Sequence, residues 1–332
     1  MMGALLASAF VVVAALPVRA APASTPDITG VVRCSCTPMW SLVEGKRAVR
    51  GATYCDPTQE KLTLVVLMRG RRVPADATCD SPQAAEVLCG ARWADDPDGE
   101  LARNPMRWAA DFRAAERRSA RGATFGPGAP LLARMQFGDL QAVNARAAIY
   151  GESPWLTYTP LIRWSEFLYR VALGDIAGST RLGKVPVGGF ARQFPRRGRE
   201  TVDQLFGVTK SSGDVRARAL GALLHQVEDA FLPGHVLRDL QGGIEGNVLS
   251  YRSFSKTASD HHRQDTGWRA AYAAKASIWQ VQGAQLGVQR ATDIVWLLNT
   301  RRPWPVAKKY FDLRVFSIAG PPPPWFKKPG KH

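Results

Sequence analysis

Three side chains between Leu220 and Asp239 have the types and the spacing of a metal site. His225, Asp229 and His235 stand in the order H-x-x-x-D-x-x-x-x-x-H. Imidazole nitrogens and carboxylate oxygens are ligands that zinc binds readily in proteins. Histidine is rare in this chain, with five among 332 residues, and none precedes His225. Their concentration beside carboxylates indicates a metal site.

The flanking periodicity predicts a helix from Val215 to Leu232 that carries the first two of these side chains. His225 and Asp229 are four residues apart and therefore share one helix face. Pro233 and the following glycine must end the helix and turn the chain, so that His235 can approach from the loop. Taken alone, this stretch leaves an alternative open, a solvated His–Asp pair followed by an unrelated surface histidine.

A second His–carboxylate pair favours the metal interpretation. His261 and Asp265 repeat the spacing of four, 26 residues after His235. With that pair, the stretch HQVEDAFLPGH resembles the signature of zinc-dependent phospholipase C and of the related single-strand-specific zinc nucleases. The resemblance covers approximately residues 90–300. It implies a mainly helical bundle and a multinuclear zinc site.

The resemblance assigns metal ligands residue by residue. It implies a first metal held by His225 and Asp229. It implies a second held by His235, His261 and Asp265, with the carboxylate of Asp229 bridging the two ions.

The segment Trp93-Ala94-Asp95 matches the Trp-Ala-Asp of the nucleases, which implies Asp95 as a further ligand of the first metal. Two features depart from the family. Asn144 stands where bacterial relatives supply another histidine, and the N-terminal Trp and nearby His that hold the family's third metal have no counterpart here. We therefore expect Zn²⁺ as the cofactor, with one or two ions and no third site.

This ligand set implies hydrolysis of a phosphodiester. Two cations about 3.5–4 Å apart can bind phosphate oxygens and lower the pKa of a bridging water. We expect a zinc-dependent phosphodiesterase, phospholipase C-like, in which Asp229 bridges the metals and Asp95 orients or deprotonates the attacking water. A nuclease of the same superfamily is one alternative. Asn144 and the missing third site keep another open, a degenerate, non-catalytic zinc-binding relative that binds anionic partners.

The net charge of +16 and the pI of about 10.1 favour anionic partners. The expected substrate is a phospholipid headgroup or a nucleic acid, and peripheral contact with a membrane surface is expected too. An Arg-rich composition without a binding role explains the charge equally well. The sequence indicates no stable protein partner.

The N-terminus and the cysteines indicate export. The apolar run from Ala4 to Leu16 is too short to span a bilayer and predicts a signal peptide cleaved near Ala20 or Ala23. We therefore expect a secreted or periplasmic protein. All five cysteines precede residue 90, which predicts disulfides with one thiol left over.

The expected fold is mainly α, with four segments: a signal peptide (1–20), a Cys-rich N-terminal section (21–80), a helical metal-binding domain (81–312) and a Pro-rich basic tail (313–332). The run from Leu62 to Met68 is predicted as a strand because of its β-branched content. Helices are predicted from Ser81-Pro82 to Trp93 and from Thr159-Pro160 to Gly174, with a basic loop at 178–200.

Overall fold

The computed structural model describes residues 58–79, 81–209, 213–239, 246–254, 283–324 and 326. All belong to the larger of two units, Val32–His332, and the other unit, Met1–Val31, lies outside the described residues. The predicted signal peptide and Cys34, Cys36 and Cys55 also fall outside them. The disulfides therefore stay a prediction, while Cys89 carries a free, exposed thiol on the second helix.

The described part is mainly helical, which confirms the predicted fold class at that level. Its helices are α1 (Thr58–Arg69), α2 (Pro82–Trp93), α3 (Glu100–Arg103), α4 (Pro105–Ala120), α5 (Leu131–Phe137), α6 (Pro154–Leu173), α7 (Val202–Leu205), α8 (Val215–Asp229), α9 (Ala284–Asn299) and α10 (Trp304–Tyr310). Short 3₁₀ turns cover Gln141–Asn144, Leu182–Lys184 and Ala191–Gln193, and a π-helical turn covers Phe311–Val315. Strands β1 (Val236–Arg238) and β2 (Val248–Tyr251) form an antiparallel pair. None of the described helices is long and apolar enough to span a membrane.

Helix α8 lies at the centre of the bundle, packed against α1, α2, α6 and α9. The carboxylate of Asp214 caps its first turn by accepting from the backbone N–H groups of Arg216 and Ala217. Every residue from Ala219 to Asp229 is buried. A helix surrounded on all sides cannot present a polar face to water, so its polar side chains must find partners inside the protein.

Two glycines let α2 and α8 approach closely. A Cβ atom on Gly221 would lie 1.8 Å from the carbonyl oxygen of Val87, and one on Gly90 would lie 2.0 Å from that of Arg218. Both distances are far inside van der Waals contact, so neither position accepts a side chain at this separation. The contact fixes the end of α2, and with it Asp95, beside α8.

The predicted strand at Leu62–Met68 is wrong, because these residues form most of α1. Leu62, Leu64, Val66 and Leu67 are each at most 1% exposed. They are buried on several sides because α1 packs against α2, α8 and α9. A continuous apolar run suits a buried helix as well as a buried strand, and here tertiary packing outweighs β-propensity.

Other predicted elements agree with the structure. Helix α2 begins at Pro82 and ends at Trp93, as predicted. Helix α6 begins at Pro154, five residues before the predicted start, and contains Pro160 in its first turns. The basic segment 178–200 is a loop with short turns, held on α6 by the buried rings of Phe190 and Phe194. The predicted domain limits stay a prediction.

Substitution of Gly221 by alanine tests the close contact of α2 and α8. The added Cβ would force the helices apart, so we expect Gly221→Ala to lower the free energy of unfolding by about 1–3 kcal/mol, despite the better helix propensity of alanine. Urea unfolding measures the loss. Gly126→Ala is the control, because no atom of the described residues lies within 4 Å of a Cβ placed there. Equal stability of the two variants would contradict the close contact.

Candidate metal centre

The C-terminal turns of α8 bring the first two predicted ligands together. His225 Nε2 lies 3.0 Å from Asp229 Oδ2, across one helical turn. His225 is 2% exposed and Asp229 is fully buried. The helical spacing read from the sequence therefore describes this pair correctly, although the pair is enclosed in the core and not on a solvated face.

His235 reaches the same carboxylate from the turn that follows α8. Its Nδ1 lies 3.2 Å from Asp229 Oδ2 and 2.7 Å from the backbone oxygen of Asn144. Both neighbours are acceptors, so Nδ1 carries the proton and Nε2 keeps the lone pair. Strand β1 begins directly after His235, and its pairing with β2 holds this turn in place, with Arg252 N donating to the His235 carbonyl. Two predicted ligands, His225 and His235, thus converge on one buried oxygen of the third, Asp229.

Arg146 belongs to this cluster, and sequence reasoning missed it. Its Nη2 lies 2.7 Å from His235 Nε2, where it donates to the free lone pair. The guanidinium is buried and stacks 3.6 Å from the ring centroid of Phe254. A signal existed, because Arg146 is a lone charge between the apolar pairs 142–143 and 147–148. Such an arginine needs a partner inside the protein.

Asp95 lies at the end of α2, beside the cluster. Gln136 Nε2 donates to its Oδ1 at 2.9 Å, and Trp108 Nε1 donates to its backbone oxygen at 3.3 Å. Its charge is one of the causes that raise the pKa of His225, which places the carboxylate within electrostatic reach of that ring. The structure therefore brings Asp95 near His225 and shows how the carboxylate is oriented.

The role of Asn144 differs from that of the histidine that the resemblance implies at this position. Its side chain is 1% exposed, with Nδ2 3.5 Å from the carbonyl of Met135. Its Oδ1 has no hydrogen-bond partner among the described residues. The contribution of Asn144 to the cluster is its backbone oxygen, which fixes the tautomer of His235.

The charges of the cluster depend strongly on one another. Burial lowers the pKa of His225, but the adjacent carboxylate of Asp229 outweighs it and raises the value to about 9. Burial, and then the guanidinium of Arg146, lower the pKa of His235 to about 3. The two imidazoles hold the pKa of Asp229 below its usual range despite burial. The metal-free cluster therefore contains a carboxylate, an imidazolium, a neutral imidazole and a guanidinium.

Glu228 is not part of the cluster. Its carboxyl group accepts from the hydroxyl of Thr63 on α1 at 3.1 and 3.2 Å. Burial raises its pKa well above the usual value. Although Glu228 is next to Asp229 in the sequence, its carboxyl group contacts α1 and not the cluster. Its role is therefore structural.

The side chains of the cluster include imidazoles and a carboxylate, which are groups that bind zinc. Ligands about 2.1 Å from a tetrahedral zinc lie about 3.4 Å apart. The separation of His225 Nε2 from Asp229 Oδ2, 3.0 Å, is close to this distance. His225 Nδ1 is buried and lacks a hydrogen-bond partner within the described part of the chain. Arg146, however, covers the lone pair of His235, so coordination through His235 Nε2 requires the guanidinium to move. The residues fit a metal at His225 and Asp229 better than at His235.

The predicted ligand set stays a prediction. Within the described residues, no group of three His, Cys, Asp or Glu side chains could hold a metal ion. His261 and Asp265 lie outside those residues, so their roles stay predictions. No family, curated protein or solved structure matches the chain in the comparisons. The resemblance to the zinc phospholipases C and nucleases therefore rests on the quoted sequence motifs.

The pKa shifts predict a stability maximum near pH 6.5 for metal-free protein. His225 has a pKa raised from 6.5 to about 9, so its stabilising charge is complete below pH 6.5 and is lost as the pH rises through 9. We expect up to about 3 kcal/mol of unfolding free energy to disappear in that interval. His235, with a pKa lowered to about 3, acts in the opposite direction and reduces stability as the pH falls below 6.5.

Urea unfolding in EDTA between pH 4 and pH 9 measures the loss of stability on both sides of the maximum. His225→Gln should remove the alkaline decline and keep the acidic one. Unchanged stability of the original protein between pH 6.5 and pH 9 would contradict the charged state assigned to His225.

Proposed function

We propose that the protein is a secreted or periplasmic zinc-dependent phosphodiesterase of the phospholipase C type. The convergence of two imidazoles, from His225 and His235, on the single buried oxygen Asp229 Oδ2 is the observation that carries the proposal. A buried carboxylate is unfavourable to desolvate, and imidazole and carboxylate groups are side chains that bind zinc in proteins.

In this proposal the residues of the site have separate roles in zinc binding and in the activation of water. His225, Asp229 and His235 hold zinc, together with His261 and Asp265 from the segment outside the described residues. Bound zinc polarises a phosphate oxygen and lowers the pKa of its water. The carboxylate of Asp95, held by Gln136, orients that water or accepts its proton. The charge of +16 attracts the anionic substrate.

The burial of aromatic residues bears on the choice between lipid and nucleic acid. Nucleases that bind single strands use exposed rings as stacking platforms. Trp164 is fully buried against Trp93, Phe167 and Phe190, so it packs the core. Trp164 therefore offers no stacking surface for a base, and we keep the lipid headgroup as the proposed substrate, with a nuclease as the alternative.

Metal content and hydrolysis together test the proposed function. We expect one or two zinc ions per purified chain, and hydrolysis of bis(p-nitrophenyl) phosphate that EDTA abolishes and zinc restores. Asp229→Asn should lose zinc and lower kcat/KM by more than about a hundredfold, since even residues behind the ligands are worth 10- to 100-fold. Asp111→Asn, at an exposed position of α4, is the control and should keep both properties. Purified protein with neither zinc nor EDTA-sensitive hydrolysis would exclude the proposal.

A second candidate is a non-catalytic relative, and the position of Arg146 favours it. A guanidinium 2.7 Å from His235 Nε2 supplies a permanent positive charge where a second metal would need the lone pair. In such a protein the cation balances Asp229 without a metal. The cluster would then stabilise the fold, and the basic surface would bind an anionic partner.

Replacement of Arg146 distinguishes the two candidates. If the protein is a phosphodiesterase, Arg146→Met should keep or raise EDTA-sensitive hydrolysis, because His235 Nε2 becomes free to bind the metal. If the cluster is non-catalytic, the same change should raise zinc affinity by about tenfold or more, since a repelling charge is removed, and should produce no hydrolysis. Competition with a chromogenic chelator measures the affinity. Arg118→Met is the matched control, as Arg118 also lies over an aromatic ring, that of Phe125, but at the surface.

A further inference from the structure

A cavity of about 520 Å³ opens at the end of the bundle opposite the candidate metal centre. Helices α1, α6 and α9 end around it, and α8 begins there. Buried apolar side chains, among them Leu67 and Leu220, form its floor. Three exposed arginines line its mouth, Arg72, Arg216 and Arg301. The cavity thus combines an apolar interior with a cationic entrance.

The backbone around the mouth is fixed by contacts between helix ends. Asn299 Nδ2, in the last turn of α9, donates to the carbonyl of Gly70 just after α1, at 3.1 Å. Arg72 N donates to Leu67 O at 2.8 Å. Arg301 adopts φ +50°, a left-handed conformation that residues with a side chain rarely take. Such strain is often found beside binding sites.

The charges at the mouth are only partly balanced. Arg216 donates to the carbonyls of Ala172 and Leu173 and so caps α6. The side chains of Arg72 and Arg301 make no hydrogen bond or ion pair with any residue in the described part. Burial, and then the guanidinium of Arg216, lower the pKa of Arg72, as expected for two cations that face the same space.

One carboxylate, that of Asp214, also lines the cavity, and it is already engaged. Its Oδ1 accepts from the backbone N–H groups at the start of α8. Among the described residues, three arginines and one carboxylate leave two positive charges around the opening. A ligand with two negative charges would balance them.

We propose that this cavity binds a phosphate monoester that carries a small apolar group. The phosphate has close to two negative charges at neutral pH, and its oxygens match the planar fork of a guanidinium. The apolar group would cover the floor, and the volume falls within the range of small-molecule sites. Arg216 and Asp229 lie roughly 20 Å apart along α8, at 1.5 Å per residue, so this site is separate from the metal centre and does not rest on the proposed function.

Calorimetric titration of the full chain in EDTA tests the site with hexyl phosphate as the probe. We expect saturable binding that is about tenfold tighter than that of inorganic phosphate, because burying part of the alkyl chain adds favourable transfer free energy. Hexanol should not bind, because it lacks the charge. Absence of hexyl phosphate binding at millimolar concentration, or equal affinity for inorganic phosphate, would overturn the proposal.

Two variants locate the binding. Arg72→Gln and Arg301→Asn should each weaken hexyl phosphate binding by about tenfold through loss of a charge-assisted hydrogen bond. Asparagine suits position 301 because it tolerates positive φ. Arg192→Gln is the matched control, since Arg192 is exposed on the loop between α6 and α7 and does not line the cavity. Equal weakening by the control, or no weakening by the first two, would show attraction to the general charge instead of this cavity.

Discussion

The contact of α2 with α8 through Gly90 and Gly221 is the constraint on which the rest of the structure depends. Because neither position accepts a Cβ, the two backbones touch, and the end of α2 is carried to the side of α8 that bears His225. Asp95 follows directly after α2 and thus comes within electrostatic reach of that ring. Because α1, α6 and α9 pack on its other sides, α8 has no access to water between Ala219 and Asp229, so its charged residues must be balanced by groups from other elements.

The balance is achieved around Asp229. Two imidazoles and a guanidinium compensate one buried carboxylate, and the carboxyl group of Glu228 accepts from the hydroxyl of Thr63 instead. Breaking such an arrangement by removing one partner is costly, because an uncompensated charge stays in a low dielectric. The metal-free cluster is consequently stable in itself. Zinc, where it binds, must compete with the proton of His225 and with the cation of Arg146, so affinity should rise with pH.

The sequence predicts local relationships in this protein better than distant ones. The four-residue spacing of His225 and Asp229 and the turn after Pro233 are properties of one short segment, and in the structure the side chains of His225, Asp229 and His235 lie together. The helix at Thr58–Arg69 could not be predicted from the sequence, because a continuous apolar run fits a strand equally well until its neighbours are known. Arg146 was missed for a related reason, since its partners His235 and Phe254 lie about 90 and 108 residues further along the chain.

The two ends of α8 provide opposite electrostatic environments. Asp229 is the last residue of the helix, where the partial negative charge of the C-terminus favours the imidazolium or a metal cation. At the first turn, the partial positive charge favours anions, but Asp214 already occupies the free N–H groups there. An anion in the neighbouring cavity must therefore be held by the arginine side chains and cannot use the helix amides. The cationic groups at the opening accordingly come from three different chain segments. Removal of any one of them should weaken anion binding without unfolding α8.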